Sequence, residues 1–135
     1  MNNYQFPADI TLIEQMSEPI ISALEQIKAE HKKIYQINLV LEEILVNISK
    51  YAYPNNKGVV DISYEISDNH KNIKVIIKDK GKEFNPLEKD DPDLSTSAQD
   101  RKIGGLGIFL VKNLVDDIRY QRLNNENVLE FIKQL

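Results

Sequence analysis

The chain of 135 residues contains no cysteine, which removes disulfides and thiolate metal sites from consideration. A thiol-free chain is at ease in a reducing cytoplasm, and that is the expected compartment. No apolar run approaches the roughly 20 residues needed to cross a bilayer. The start, Met1-Asn2-Asn3-Tyr4-Gln5-Phe6-Pro7, lacks the basic then apolar pattern of a leader, so neither a span nor a signal is expected. A basic stripe is also missing. The 17 Lys and Arg are scattered among 21 Asp and Glu for a net charge of −4, which argues against a nucleic-acid surface. The two histidines, His31 and His70, have no partner at metal-ligand spacing, and no Ser-His-Asp arrangement stands out. Glycine is scarce: of five in the chain, three fall in Gly104-Gly105-Leu106-Gly107.

What is present is ordinary for a globular chain, 41% hydrophobic and 28% charged. The length suits one domain over residues 1–135, large enough for one hydrophobic core. After an extended start ending near Pro7, residues Thr11 to Glu30 have helical spacing at Leu12, Ile13, Met16, Ile20, Leu24 and Ile27. Ser17 and Pro19 predict a break and restart there. A second helix is expected from Ile34 to Tyr53, with Ile37, Leu41, Ile44, Ile48 and Ala52 as its core stripe and Pro54-Asn55-Asn56 as its stop. Val59 to Ser67 alternates and Ile73 to Lys78 is β-branched, so the two read as a hairpin turning at Asp68-Asn69-His70-Lys71. A polar loop from Asp79 to Ile103 is long for a compact domain, the usual mark of a functional lid or a disordered segment. A third helix starts near Gly107, and two short strands, Ile118–Gln121 and Val128–Ile132, follow around a turn at Asn124-Asn125-Glu126-Asn127. The order βααββ, loop, αββ predicts an α+β fold, a two-layer α/β sandwich with a mixed, mostly antiparallel sheet and helices on one face.

Three constellations could carry chemistry. Glu43 and Asn47 stand four apart, one helical turn along one face, with Lys50 continuing the line and apolar Leu39 and Val46 flanking it. An amide oxygen is a hard ligand suited to Mg²⁺, which takes few protein ligands plus phosphates and water. A carboxylate one turn away could take a proton from an incoming hydroxyl. Asp79-Lys80-Gly81 ends a buried-looking strand; an Asp there can accept from an exocyclic amine, favouring adenine, while the glycine admits a flat base close to the backbone. Alone, it is also a common turn. Gly104 to Gly107 opens a helix with bare N–H groups, a ready anion site. No Lys-Ser or Lys-Thr follows these glycines and no strand immediately precedes them, so neither a P-loop nor a Rossmann fingerprint is present.

In this order the three resemble something specific. Glu43-x-x-x-Asn47, followed by Lys50-Tyr51-Ala52-Tyr53, resembles the first ATP-binding box of the gyrase, chaperone, histidine-kinase and mismatch-repair ATPase superfamily. Asp79-x-Gly81 with Phe84-Asn85-Pro86 resembles its second box, and Gly104 to Gly107 its third. The branch most similar is that of the small stand-alone anti-sigma-factor serine kinases. Its marks are Glu four before Asn, a short lid, Gly-Gly-Leu-Gly before an apolar helix, and a Val-Asp-Asp helix end, here Val115-Asp116-Asp117. The likeness runs from about Pro7 to Lys133.

The resemblance implies a regulatory serine kinase. It would move phosphate from Mg-ATP to a serine of a small anti-anti-sigma partner and also sequester a sigma factor. Residue by residue, Asn47 would chelate Mg²⁺, Glu43 would activate the serine, and Asp79 with Gly81 would hold the adenine. Gly105 and Gly107 would contact phosphates, with Gly104, Leu106 and Lys50 completing the ATP set and residues 82–103 closing as a lid. Arg101 or Lys102 would bring lid charge to the γ-phosphate. Two departures stand out: Asn85 where the branch commonly has Asp, and a last strand, Val128-Leu129-Glu130-Phe131, without the Thr that often reaches the nucleotide. A carboxylate at 43, where histidine kinases usually carry Asn, disfavours a two-component kinase. An ATP-responsive binding module without transfer, acting on a phosphatase or another signalling partner, stays open, as does a homodimer.

Overall fold

A computed structural model describes residues 1–55, 57–88 and 105–135, the side chains of 105 and 106 excepted. The chain runs β1 (Asn2–Pro7), α1 (Ile13–Gln26), α2 (His31–Asn47), β2 (Val59–Ile66), β3 (Asn72–Asp79), α3 (Gly105–Leu114), β4 (Asp117–Leu123) and β5 (Glu126–Gln134). The strands form one sheet in the order β1-β2-β3-β5-β4, with α1, α2 and α3 packed on one face. The α+β, two-layer expectation stands. All four pairings among the described residues are antiparallel. None of the described helices is long and apolar enough to cross a membrane.

The core side of the sheet follows from alternation. Val60 and Ile62 of β2, Ile73, Val75 and Ile77 of β3, and Leu129 and Phe131 of β5 are buried beneath the helices. At one end the same alternation brings polar residues to that face: Asp79 closes β3 and Asn127 lies directly across from it in β5. Both are buried.

Local chemistry explains most element ends. Asp9 accepts from the Thr11 N–H at 2.9 Å and its hydroxyl at 2.8 Å, capping the 3₁₀ turn Ile10–Leu12 that leads into α1. The expected break at Pro19 does not occur; α1 runs through it. An interior proline costs about 3 kcal/mol, but Met16, Ile20 and Leu24 are wholly buried along the same face, about 2 kcal/mol each. The packing wins. α2 starts at His31, three residues earlier than its apolar stripe predicts, and its last turn, Ile48–Ala52, is a π-helix. α3 ends at Leu114, and Asp117 already belongs to β4, so Val115-Asp116-Asp117 is a helix-to-strand corner rather than a helix end. Lys133 is buried and donates to the Leu114 carbonyl, satisfying the C-terminus of α3.

The β4–β5 turn differs from its expected form in a way that matters. Asn124 and Asn125 both have left-handed backbone, φ 51° and 62°, giving a tight two-residue hairpin. Asparagine tolerates that conformation without great cost. The expected four-residue turn therefore shrinks to two, and Glu126 and Asn127 join β5.

Candidate functional site

The site grows from the end of β3. Asp79 is 3% exposed. Its Oδ1 accepts from the Gly81 N–H at 2.9 Å and from Asn127 Nδ2 at 2.8 Å. Burial pushes the carboxyl above its ordinary value of 3.8, against these two hydrogen bonds and the Arg122 charge, which pull it down. Gly81 is required by close approach: a Cβ there would lie 2.3 Å from the Ala52 carbonyl oxygen. That carbonyl accepts from the Lys82 N–H at 2.8 Å, and Arg122 Nη1 donates to the Gly81 carbonyl at 2.8 Å. The turn after β3 is thus fixed against the π-helical end of α2.

Asp79 and Asn127 line a cleft with Asn47, Ile44, Ile48, Ala52, Ile77 and Leu129. Phe84, Pro86 and Tyr120 complete its wall, and its volume of about 20 Å³ is room for about one water. Phe84 stacks on Tyr51, centroids 5.0 Å apart, which holds this segment over the cleft. A planar base requires Phe84 and Pro86 to move outward. A larger groove, about 710 Å³, lies between α1 and α2, with Glu14, Glu18, Glu25 and Glu30 in its lining and none of Glu43, Asn47, Asp79 or Gly107.

Asn47 is 5% exposed, and its Nδ2 is buried with no partner among the described residues. An unpaired buried amide costs about 1–3 kcal/mol. No bond dictates which terminal atom is the oxygen. Such an amide is free to turn its oxygen toward a cation, so the residue fits a Mg²⁺ ligand. Among the described residues no three His, Asp or Glu gather as a metal cluster, so a cation there needs ligands from elsewhere, such as phosphates.

One turn back on α2, Glu43 is half-buried against the start of α3. A Cβ at Gly107 would lie 2.0 Å from Glu43 Oε2, so only glycine lets this carboxylate approach the helix that closely. The structure therefore brings Glu43 beside Gly107, and Asn47 into the cleft that ends in Asp79. Lys50 is not with them: the π-turn leaves it exposed, and it is not among the residues lining that cleft. Gly105 and Leu106 open α3, whereas Gly104, Arg101, Lys102 and residues 89–103 of the expected lid lie outside the described residues. Sequence reasoning missed Asn127 and Tyr120, whose phenol donates to Asn127 Oδ1 at 2.5 Å. The one signal was the Asn-Asn pair, which could have been read as a two-residue hairpin turn.

Residues 6–133 match the family model of the histidine kinase-like ATPase domain. The serine-protein kinase RsbW of Staphylococcus aureus is 28% identical over 123 residues, covering 83% of this chain and 73% of that protein. Among solved structures, the RsbU and RsbW domains of a Mycobacterium tuberculosis protein superpose with a TM-score of 0.64 at 15% identity. That match spans 100% of this chain but only 33% of the mycobacterial one. A chain of the SiaB–SiaC complex from Pseudomonas aeruginosa gives a TM-score of 0.63 at 13% identity, over 100% of this chain and 90% of that one. At such identities the two structures speak for the fold alone. With the family model spanning nearly the whole sequence, the chain belongs to the histidine kinase-like ATPase family.

Proposed function

We propose that this chain is a cytoplasmic, Mg-ATP-dependent protein serine kinase with the regulatory role of an anti-sigma factor. Its substrate would be a serine of a small anti-anti-sigma protein, and its second partner a sigma factor. The observation that carries the reading is the Glu43 carboxylate held beside Gly107, one turn from the buried, uncommitted amide of Asn47. Similarity to the RsbW serine-protein kinase supports the same reading.

Asp79, with Gly81 beside it, would accept the exocyclic amine of adenine. The N–H groups at the start of α3, from Gly105 to Gly107, would receive phosphate oxygens, with Gly104 completing the set. Asn47 would hold Mg²⁺ together with those phosphates. Bound there, the ion neutralises charge on the transferring group. Glu43 would take the proton from the serine hydroxyl as the Oγ–phosphorus bond forms and the bond to the β–γ bridging oxygen breaks, releasing ADP. Residues 82–103 would close over the nucleotide.

The test is transfer of the labelled γ-phosphate of ATP to a co-encoded small regulator. Glu43→Gln keeps the side-chain shape but cannot take the proton, so ATP should bind while transfer falls by about 100- to 10,000-fold. Transfer at the wild-type rate removes Glu43 as the base. A wild type that binds ATP but labels no candidate regulator replaces the kinase with an ATP-responsive binding module.

A further inference from the structure

Asn127 is buried, and it uses every hydrogen-bonding position of its amide. Nδ2 donates to Asp79 Oδ1 at 2.8 Å and to the Lys82 carbonyl at 2.8 Å. Oδ1 accepts from the Tyr120 hydroxyl at 2.5 Å and from the Phe84 N–H at 3.3 Å. The chemistry of the partners fixes which way the amide points. A carboxylate and a carbonyl can only accept, and a backbone N–H can only donate. Burial pushes the Tyr120 phenol up, so it remains protonated and is the donor.

We propose that Asn127 is the positioning residue for base recognition, holding Asp79 so that one carboxylate oxygen is left to read the 6-amino group of a purine. The inference rests on the adenine site proposed above and names a determinant in it. Both bonds that Asp79 accepts from described residues fall on Oδ1, leaving Oδ2 for a ligand. Without Asn127, the carboxylate keeps only the Gly81 N–H on that oxygen and loses the orientation that aims its other oxygen at an amine. The Lys82 and Phe84 contacts extend the effect, because the same amide anchors the backbone that carries the Phe84 side chain over the cleft. Base reading and the placement of that segment share one side chain.

Asn127→Leu keeps the branched outline in a bulkier side chain without hydrogen-bonding atoms; Asn127→Ser is the smaller change should the first fail to fold. The probes are ATP and inosine triphosphate, in which a keto group replaces the 6-amino group and N1 carries a proton, with affinities from calorimetry. Wild type should prefer ATP by about 10- to 100-fold, the range of a charge-assisted hydrogen bond. In the variant the preference should collapse to within about threefold. A role in folding alone would weaken both nucleotides together and leave the ratio intact, and an unchanged ratio in a folded variant overturns the proposal. Carbon-13 titration of the Asp79 carboxyl needs no nucleotide. Losing the Asn127 bond should move that titration to higher pH, and coincident curves for wild type and variant again overturn the proposal. A wild type that binds neither nucleotide sinks the adenine site itself, an outcome distinct from unchanged selectivity.

Discussion

A single methyl group at position 107 should separate the chemistry from the fold. Built on the Gly107 backbone, a Cβ lies 2.0 Å from Glu43 Oε2, 2.3 Å from Cδ and 2.7 Å from Oε1. Ordinary contact begins near 3.4 Å, so the carboxylate must retreat by about 1.4 Å. The obstacle is the far end of a flexible side chain, and α3 need not shift. Alanine is also favoured over glycine inside a helix by about 0.5–1 kcal/mol. The melting temperature of Gly107→Ala should therefore hold or rise by a few degrees. The alanine N–H remains available to phosphate, so ATP affinity should stay within about tenfold of wild type. Transfer has the opposite sign, since a catalytic group misplaced by about 1 Å costs on the order of 100-fold. The assay joins circular-dichroism melting, calorimetric ATP binding and the initial rate of labelled-phosphate transfer to the regulator. Wild-type transfer in a folded variant would refute a role for this contact in the reactive geometry. A marked drop in melting temperature would show that backbone, rather than the Glu43 side chain, absorbs the methyl.

Gly81→Ala should behave in the opposite way, because its Cβ meets the Ala52 backbone oxygen at 2.3 Å, which cannot swing aside. A loss of about 1–3 kcal/mol in denaturant unfolding is expected, and unchanged stability would mean the Gly81–Ala52 approach is looser than described. Asp79→Asn keeps an oxygen for Gly81 and Asn127 yet removes a buried charge, so ATP binding should weaken by about 1–3 kcal/mol while the melting temperature at neutral pH does not fall. The sign follows from burial raising the carboxyl above 3.8: the folded protein holds this proton more tightly than the unfolded chain does, so ionisation at neutral pH opposes folding. For the same reason ATP affinity of the wild type should decline as pH falls through that raised value, and the decline should be absent in Asp79→Asn. A parallel pH profile in both proteins would remove Asp79 from the binding equilibrium.

Much of the fold was readable because it is local. Period-3.6 spacing marked Met16, Ile20 and Leu24 as one face, and alternation marked the hairpin of β2 and β3; burial followed both patterns. The four-residue interval from Glu43 to Asn47 by itself places both on one helix face, and the β-branched run before Asp79 reads as a buried strand. Pro19 misled because propensity is a local preference and the core burial of its helix outweighs it. Lys50 leaves the row of Glu43 and Asn47 for a geometric reason: the π-turn changes the phase of the helix after Asn47, so a row extrapolated at 3.6 residues per turn no longer holds.

By itself the sequence determined the elements, their faces and the order of three boxes, since these depend on spacing along the chain and on the chemistry of single residues. The pairing of Asp79 with Asn127 could not be had that way. They lie 48 residues apart, and only the sheet order, with β5 returning between β3 and β4 after α3, makes them neighbours. The contact of Glu43 with Gly107 likewise needs α3 packed on α2. A helix or a turn is written in neighbouring residues, but a carboxylate's hydrogen-bond partners are set by which distant strand the sheet lays beside it.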